Sequence, residues 1–461
     1  MPFIPHTPSD ERAMLDVIGV GAIDNLLDEI PNALRVGPLP GIPAALTEMQ
    51  VGRLMAERAA LDGRVLNFIG AGAYEHHIPA AVWSTVTRGE IYSAYTPYQA
   101  EASQGTLQII FEYQTMMASL TAMEVSNASL YDGASALAEA CLMAVRANRR
   151  SKSSRIVLPR TLHPHYEKCV RSVCGLQNLI FETLPFDSVD GTIVRAALSE
   201  LEEKDVTAIV IQQPNFFGSI EDVDDIVNWA HARGALVIAV VNPVSLAVLR
   251  PPGEWGEKGA DIVVGDGQPL GVPLSGGGPY FGFMTTRMEH VRQMPGRIVG
   301  RTIDLDGRTG YALTLQAREQ HIRRSKATSN ICTNQGLLMS AATIYLSIVG
   351  AEGLERVANA CIANTALLLR RLADIPGVRP GIAGSRFHEA VVIVDVSAKD
   401  LLTGLASRGI AGGFDLSVDY PELGQAILVC ATETKTEQDI DEFVEAFRDV
   451  METLNKLGGS L

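Results

Sequence analysis

Lysine is scarce in this sequence. Among 461 residues, Lys and Arg together number 38, and only 8 of these are lysines. Few positions are therefore available for any chemistry that needs a lysine amine. Asp and Glu number 53, which gives a formal net charge of −15. A chain this acidic is not expected to bind nucleic acid, because proteins that do so use a basic face to displace the counterions of phosphates.

Clustered cysteines and long apolar runs are also missing. The six cysteines show no CxxC spacing, so we expect reduced thiols rather than a disulfide framework, and no metal site. No segment reaches the roughly 18–20 uninterrupted apolar residues of a membrane span, and the N-terminus lacks the layout of a signal peptide. We therefore expect a soluble, cytoplasmic protein that does not enter a membrane.

The middle of the chain alternates short apolar runs with helical patterns, which predicts an α/β fold. Uninterrupted apolar strands separated by helices indicate a mainly parallel sheet covered on both faces. Such sheets place their ligand sites at the carboxyl ends of the strands. The predicted strands are Ala128–Tyr131, Arg155–Leu158, Ala208–Gln212, Leu236–Val241, Ile262–Val264 and Tyr280–Met284. The predicted helices are 134–149, 163–173, 191–203 and 221–233.

The pattern divides the chain into three expected domains. Residues 1–60 form an N-terminal helical arm, which has too little apolar surface to fold alone and is expected to wrap a larger body or a partner. Residues 61–330 form the large domain, which ends in an Arg- and Gly-rich linker over 292–330. Residues 331–461 form a smaller C-terminal α+β domain. Its predicted elements are helices 334–349, 351–373, 398–408 and 436–455 and strands Ala390–Val396 and Ala426–Cys430.

The segment Tyr131-Asp132-Gly133-Ala134-Ser135 lies between a predicted strand and a predicted helix. Gly133, Ala134 and Ser135 could form a phosphate cradle, because a helix N-terminus offers free N–H groups and a positive dipole end. The alternative is an ordinary helix cap, in which Asp132 or Ser135 satisfies backbone donors.

Two further strand ends resemble the large domain of fold-type-I pyridoxal-phosphate enzymes. In those enzymes an Asp at the end of one strand pairs with the pyridine nitrogen of the cofactor. Asn242 stands at that position here, and an amide cannot hold a pyridinium by charge.

The Schiff-base lysine of such enzymes lies in the loop after the next strand. This sequence has Gln268 and Pro269 in that loop and no lysine. The nearest lysine, Lys258, precedes the strand, and a strand of four or five residues separates its two ends by about 15 Å. The fold of a pyridoxal-phosphate enzyme is therefore expected without its catalytic lysine.

Several long motifs carry a resemblance to a known family. They are Ala94–Gln99, Ser103–Gly105, Phe111–Thr115, Asn127–Gly133, Leu315–Arg324 and Lys326–Thr333. On these motifs the sequence resembles glycine dehydrogenase (decarboxylating), the P-protein of the glycine cleavage system, over nearly its whole length. The length and the missing lysine match the alpha chain, or subunit 1, of the two-subunit form.

The resemblance implies a shared reaction and an assembly. Glycine is decarboxylated on pyridoxal phosphate carried by the homologous beta chain, and the aminomethyl group passes to the lipoyl arm of H-protein. The alpha chain is an obligatory partner in an α2β2 heterotetramer and holds no covalent cofactor of its own. By this reading the chain is inactive alone.

A polar, tyrosine-rich stretch from Tyr92 to Gln104 is the expected contribution of this chain to the partner's active site. Tyr and Gln provide rigid contact area with hydrogen-bonding tips, as interfaces prefer. We expect Tyr95, Tyr98, Gln99 and Gln104 to line a cleft shared with the beta chain. The alternative is a loop that only covers this chain's own sheet.

Two other functions stay open at this point. The chain could be a self-contained pyridoxal-phosphate enzyme that uses an unusual lysine, of which Lys326 is the least implausible. It could also be a catalytically silent scaffold. His163, near the position that stacks on the cofactor in active relatives of this fold, is expected to serve in packing only. Arg318 and the basic residues that follow it are expected to form salt bridges across a subunit interface.

Overall fold

A computed structural model describes residues 6–37, 39–63 and 65–458. The chain divides into two compact units, residues 1–63 and residues 64–461. The α-helices are α1 (Pro8–Ile18), α2 (Glu48–Ala60), α3 (Ala80–Val86), α4 (Gly89–Tyr92), α5 (Gln104–Thr121), α6 (Gly133–Ala147), α7 (Pro164–Cys174), α8 (Val223–Ala232), α9 (Gln320–Arg323), α10 (Gly336–Ala373), α11 (Ala398–Ala406) and α12 (Glu437–Gly458).

Fifteen strands occur in the described residues of the second unit. They are β1 (Leu66–Asn67), β2 (Val125–Ser126), β3 (Arg155–Pro159), β4 (Ile180–Leu184), β5 (Ala208–Gln213), β6 (Leu236–Val241), β7 (Ile262–Asp266), β8 (Gly282–Thr286), β9 (Ile298–Ile303), β10 (Thr309–Thr314), β11 (Val378–Pro380), β12 (Glu389–Val394), β13 (Ile410–Ala411), β14 (Phe414–Asp415) and β15 (Ala426–Cys430).

The first unit has almost no core of its own. Its first helix begins at Pro8, and Thr7 is the N-cap, which exchanges hydrogen bonds with Asp10 in a capping box. Among the described residues of this unit, Leu15 alone is buried. Apolar side chains such as Val17 and Leu61 are more than 80% exposed. The arm therefore offers apolar surface that it does not cover itself.

A seven-stranded sheet organises the second unit. Its strand order is β2-β8-β7-β6-β5-β3-β4, and β8 alone runs against the others. Alternate residues of the central strands enter cores on opposite faces, as Ile209 and Ile211 do on one face and Ala208 and Val210 on the other. A parallel sheet buried on both faces explains why these strands read as uninterrupted apolar runs. The predicted α/β fold is confirmed.

The C-terminal part of the second unit builds another layer. The antiparallel sheet β11-β12-β15-β14 packs against α11, α12 and the second half of α10 around a separate apolar core. Helix α10 is broken at Gly350, where φ is 61°, so the two predicted helices 334–349 and 351–373 are both present. By length and composition α10 is a helix that could cross a membrane, and 44% of its apolar stretch is buried inside the protein.

Several sequence predictions were wrong. The segment 128–131 makes one isolated bridge, between Leu130 and Gly282, rather than a strand. The predicted helix 191–203 is a 3-10 helix, Arg195–Leu201. The stretch 292–330 is no plain linker, because it contains the β9–β10 hairpin.

Strand β4 escaped prediction because it lies at the sheet edge. Its side chains are mostly half-exposed, so the sequence mixes apolar residues with Glu182 and lacks the buried run of a central strand.

Candidate functional site

A small pocket lies where the parallel strands end, at the carboxyl ends of β6 and β7. Its free volume is about 40 Å³, which holds a few water molecules at most. Pockets for small molecules occupy roughly 300–1,000 Å³. We call it the closed pocket. Its lining includes Tyr74, His163, Tyr166, Asn242, Asp266 and His388.

The loop that follows β7 is held in place by the hydrogen bonds of one glutamine, Gln268. Gln268 follows β7 and is 1% exposed. Its side-chain oxygen accepts a hydrogen bond from Tyr74 N at 2.8 Å, and its amide donates to Tyr74 O at 2.7 Å and Val272 O at 2.9 Å. Pro269, the next residue, lines the closed pocket. The loop after β7, where we expected the lysine of this fold, therefore holds a distant backbone segment through Gln268.

Asn242 directly follows β6 and faces a histidine from the C-terminal layer. Its Nδ2 donates to Nε2 of His388 at 3.1 Å, and its Oδ1 accepts from Val244 N at 2.9 Å. Burial holds the pKa of His388 well below its usual value, so the ring is neutral and can accept this bond. At the position where we expected the acid that pairs with the pyridine nitrogen, Asn242 therefore has hydrogen-bond partners for both of its side-chain polar atoms within the chain.

Residues 70–74 cross the pocket. Ala71 N donates to Oε1 of Glu389 at 2.6 Å, and the hydroxyl of Tyr74 donates to Oε2 of the same carboxyl at 2.8 Å. The Tyr74 ring also packs on His388, with ring centroids 4.4 Å apart. Burial raises the pKa of Glu389 to about 7. The crossing segment is therefore fixed at several points to β12. Sequence reasoning missed it, although the small residues Gly70 to Ala73 hinted at a close backbone approach.

His163 packs inside this pocket instead of facing an open site. Its Nε2 donates to Ala71 O at 2.7 Å, its Nδ1 accepts from His165 N at 3.1 Å, and its ring stacks on Tyr166 at 5.0 Å. Burial lowers its pKa to about 4. A Cβ at Gly72 would lie 2.6 Å from this ring, so the crossing segment leaves no space above the imidazole.

The helix N-terminus read as a phosphate cradle is occupied by side chains of the same chain. Ser135 N donates to Oδ1 of Asp132 at 2.7 Å, in a capping box, and Gly133 N donates to Oδ2 of Asp266 at 3.1 Å. Ala134 lies between them in the first turn of α6. A Cβ at Gly133 would meet the Tyr166 hydroxyl at 2.1 Å. The helix-cap alternative describes the contacts seen here.

These residues do not fit pyridoxal phosphate. The loop offers no lysine amine, Asn242 offers no carboxylate, and two carboxylates stand where a phosphate would need positive surroundings. The free volume is far below that of a small-molecule site. No step of cofactor chemistry can therefore be assigned to this pocket.

A second, larger cavity lies between α4, α5 and the start of α10. Its free volume is about 420 Å³, and Tyr95, Arg297, Asn334 and Ser340 contribute to its wall. We call it the Arg297 cavity. It has the size of a ligand site and carries several polar groups.

Arg297 is the residue that sequence reasoning missed. It is 3% exposed and donates to Oδ1 of Asn334 at 2.9 Å and to Cys332 O at 2.9 Å, while its Nε has no partner among the described residues. No described carboxylate lies within 4.0 Å of it. A buried guanidinium without a counter-charge is costly unless an anion completes it. Its position in the supposed linker, directly before β9, hid this role.

The four residues expected at the shared cleft separate into two groups. Tyr95 is 86% exposed and lines the Arg297 cavity, whereas Tyr98, Gln99 and Gln104 do not line it. The guanidinium carbon of Arg297 lies 5.7 Å from the centre of the Tyr98 ring. Gln104 is bound to Tyr311 N at 2.9 Å and Tyr311 O at 2.8 Å, so it supports β10. Gln99 is exposed.

The basic residues after β10 serve mainly local structure. Arg318 donates to the backbone oxygens of Met294, Gly296 and Leu315 in its own chain. Lys326 ends a 3-10 turn, is exposed, and lines neither the closed pocket nor the Arg297 cavity.

Comparison with known proteins places this arrangement in a family. A family model described as the glycine cleavage system P-protein matches residues 1–447. Two curated relatives are both named "Probable glycine dehydrogenase (decarboxylating) subunit 1". The one from Thioalkalivibrio sulfidiphilus is 62% identical over 97% of this chain and 99% of its own length. The one from Nitrosospira multiformis is 60% identical over 98% of this chain and 99% of its own.

Solved structures agree with this assignment. A crystal structure of glycine decarboxylase (P-protein) of the glycine cleavage system, in inhibitor-bound form, is 39% identical and covers 98% of this chain and 100% of its own, with a TM-score of 0.88. A sphingosine-1-phosphate lyase from Burkholderia pseudomallei is 15% identical over 94% of this chain and 97% of its own, with a TM-score of 0.66, and so shares the fold alone. The predicted resemblance is confirmed, and the chain belongs to the family of glycine cleavage system P-proteins.

Proposed function

We propose that this chain is the subunit without a cofactor in a two-subunit glycine decarboxylase. A homologous beta chain carries pyridoxal phosphate, and the two chains assemble as an α2β2 heterotetramer. Together they decarboxylate glycine and transfer the aminomethyl group to the lipoyl arm of H-protein. The relatives named subunit 1 support this proposal, because a first subunit implies a second.

The closed pocket is the observation that carries the proposal. Gln268 and Asn242 replace the two side chains that the cofactor would need, and both are bonded within the chain. A chain that belongs to a family of decarboxylases but has filled its own cofactor position needs another chain to supply that position. The reaction therefore belongs to the assembly.

The N-terminal unit supplies a surface for that assembly. Its apolar residues, among them Val17, Val36 and Leu61, are more than 80% exposed. Apolar surface of this kind marks contact with another protein surface. In the proposal, the arm packs on the beta chain and covers this apolar surface there.

The Arg297 cavity is the proposed contribution of this chain to the partner's active site. Arg297 holds a positive charge that no described carboxylate neutralises, and Tyr95 presents an exposed hydroxyl at the same cavity. In the complex, the guanidinium orients an anionic group held by the beta chain, and the Tyr95 hydroxyl adds a hydrogen bond. Tyr98 shields the guanidinium from water, and Gln104 fixes the wall behind it.

We assign the complex to the cytoplasm. Helix α10, the one long apolar helix among the described residues, contributes side chains to two apolar cores of the second unit.

Assays of each chain alone and of the two together test the proposal. The chains should purify as a complex, and glycine decarboxylation should need both. Activity of this chain alone would contradict the proposal and favour a self-contained enzyme.

A trapping experiment tests where the cofactor is held. Each chain is incubated with pyridoxal phosphate, reduced with borohydride and analysed by mass spectrometry. A lysine adduct is expected on the beta chain and not on this one. Gln268→Lys is the informative variant, because the filled pocket should prevent an adduct even with a lysine restored. An adduct at Lys326 in the unaltered chain would overturn the assignment.

A further inference from the structure

A third cavity lies at the opposite ends of the strands from the closed pocket. Its free volume is about 580 Å³, larger than that of the Arg297 cavity, and its wall includes Leu236, which begins β6, and Asp261, which precedes β7. The six residues of β6 place it roughly 20 Å from Asn242. It is therefore a separate feature of the second unit, which we call the basic cavity.

The basic cavity has the opposite charge to the chain as a whole. Six cationic side chains line it, against two carboxylates, those of Asp261 and Glu289, while the chain carries a formal net charge of −15. The six are Arg146, Arg149, Arg150, Lys258, Arg287 and Arg292. Positive charge concentrated in a concave wall raises the local concentration of anions.

The two carboxylates do little to cancel this charge. Asp261 accepts hydrogen bonds from Val237 N at 2.7 Å and from His231 Nε2 at 3.0 Å. Burial opposes its ionisation, but the bonds from His231, His290 and Val237 outweigh that effect and lower the pKa of Asp261 to about 2. Asp261 is therefore ionised and held by neighbours other than the lining arginines, and its single charge offsets one of the six cations. The side chain of Glu289 is 74% exposed and is screened by water.

Most of the cations lack a counter-charge. Arg287 is structural, since it donates to Gly253 O at 2.8 Å and Lys258 O at 2.7 Å. Arg146 donates to a backbone oxygen, and its Nε is buried without a partner among the described residues. The others, Arg149, Arg150, Lys258 and Arg292, form no ion pair with any described carboxylate.

Helix dipoles explain part of the cluster and not the rest. Arg146 and His231 lie in the last turns of α6 and α8, where a cation offsets the negative end of the helix. That effect fades beyond the last turn, so it does not account for Arg149 and Lys258, which lie in loops. A bound anion would give the four unpaired cations, all exposed to solvent, a shared counter-charge.

We propose that the basic cavity binds a compact polyanion with two linked phosphoryl groups. Arginine forks bind phosphoryl oxygens in pairs, and two linked phosphoryl groups concentrate several negative charges in a space that this cavity can hold. The wall contains no Phe, Tyr or Trp, and its apolar residues are Ala147, Ala235 and Leu236. A nucleoside therefore finds no stacking surface, so the diphosphate itself is the recognised part.

Calorimetric titration of the full-length chain with inorganic pyrophosphate tests the proposal. The unaltered chain should bind it, and Arg149→Ser/Arg292→Ser should weaken binding by about tenfold or more, the equivalent of roughly 1.4 kcal/mol. The matched control is Arg370→Ser/Arg448→Ser, which removes the same charge from exposed arginines of α10 and α12. It should change affinity less than about twofold.

Two further ligands separate the sources of the anion. ADP should bind about as tightly as pyrophosphate, because the cavity contacts the diphosphate and offers no stacking surface to the nucleoside. Citrate, a polycarboxylate, should bind at least about tenfold more weakly. Citrate binding as tight as that of pyrophosphate would overturn the phosphoryl class.

The remaining controls keep the result independent of folding. Arg149→Lys/Arg292→Lys keeps the charge and should retain part of the affinity, and thermal melting checks that each variant is folded. Affinity should fall as salt rises. Absence of pyrophosphate binding to the unaltered chain, or equal losses in both double serine variants, would refute the site.

Discussion

At the carboxyl ends of β6 and β7, polar side chains are satisfied by one another, whereas in the Arg297 cavity a buried cation is not. Asn242, Gln268 and Glu389 each have partners within the chain. Arg297 has hydrogen bonds to neutral oxygens and no carboxylate. A buried charge without a described counter-charge indicates a ligand from outside the chain, whereas polar groups that satisfy one another give no such indication. The two regions thus differ in whether folding alone satisfies their buried polar groups.

Arg297→Met is expected to have the largest effect. Losing a buried cation that orients an anionic group costs about 2–5 kcal/mol, so glycine decarboxylation by the complex should fall by about 30-fold or more. Arg297→Lys keeps the charge and should recover part of the activity. The matched control, Arg301→Met, alters an exposed arginine of β9 and should leave the rate near normal. Full activity of Arg297→Met would mean that the buried charge of the Arg297 cavity has no role in the reaction, and the cavity would then not differ in function from the closed pocket.

Glu389→Gln tests the closed pocket through pH. Burial raises the pKa of Glu389 to about 7 from an ordinary value near 4.5. The folded state therefore holds a proton that the unfolded state releases, and the stability that this gives is complete below about pH 4.5 and lost as pH rises through about 7. Between these limits the chain should lose roughly 3 kcal/mol relative to Glu389→Gln. Urea unfolding of both proteins from pH 4.5 to 8 measures the difference, in which the contribution of His163 cancels. Parallel curves would contradict the assigned burial.

Gln268→Ala tests whether the hydrogen bonds of Gln268 hold residues 70–74 against the loop after β7. It removes three hydrogen bonds and leaves Tyr74 N, Tyr74 O and Val272 O without their partner. The free energy of unfolding should fall by about 2 kcal/mol in urea titrations. Gln177→Ala, at an exposed position, should change it by less than about 0.5 kcal/mol. Equal values for both would mean that Gln268 does not hold the crossing segment.

Tyr95→Phe should have the smallest effect. One hydroxyl at the rim of the Arg297 cavity contributes about 0.5–1.5 kcal/mol, so the exchange of the glycine carboxyl group with bicarbonate should slow a few-fold in the complex. The stability of the chain should not change, because Tyr95 is exposed. Gln104→Ala should instead destabilise the chain, since Gln104 is bonded to β10. Normal exchange in both variants would favour a scaffold without a catalytic role.

The central strands could be predicted because their local pattern and their burial agree. Leu236–Val241 is apolar throughout and is buried on both faces, so periodicity alone identified it. The edge strand β4 and the β9–β10 hairpin have half-exposed faces, and their sequences resemble loops. Arg297 was missed for the same reason, because it lies directly before such a strand.

The sequence by itself predicted which chemistry this chain lacks. Gln268, Pro269 and Asn242 stand where we expect the lysine and the acid of this fold, and both functions depend on the residue type at one position. The tertiary structure decided that the pocket is closed. Residues 71–74 meet Gln268 and Glu389 across 194 to 318 positions of sequence, and no local pattern encodes such contacts. The unpaired charge of Arg297 likewise exists only because folding buries it away from every described carboxylate.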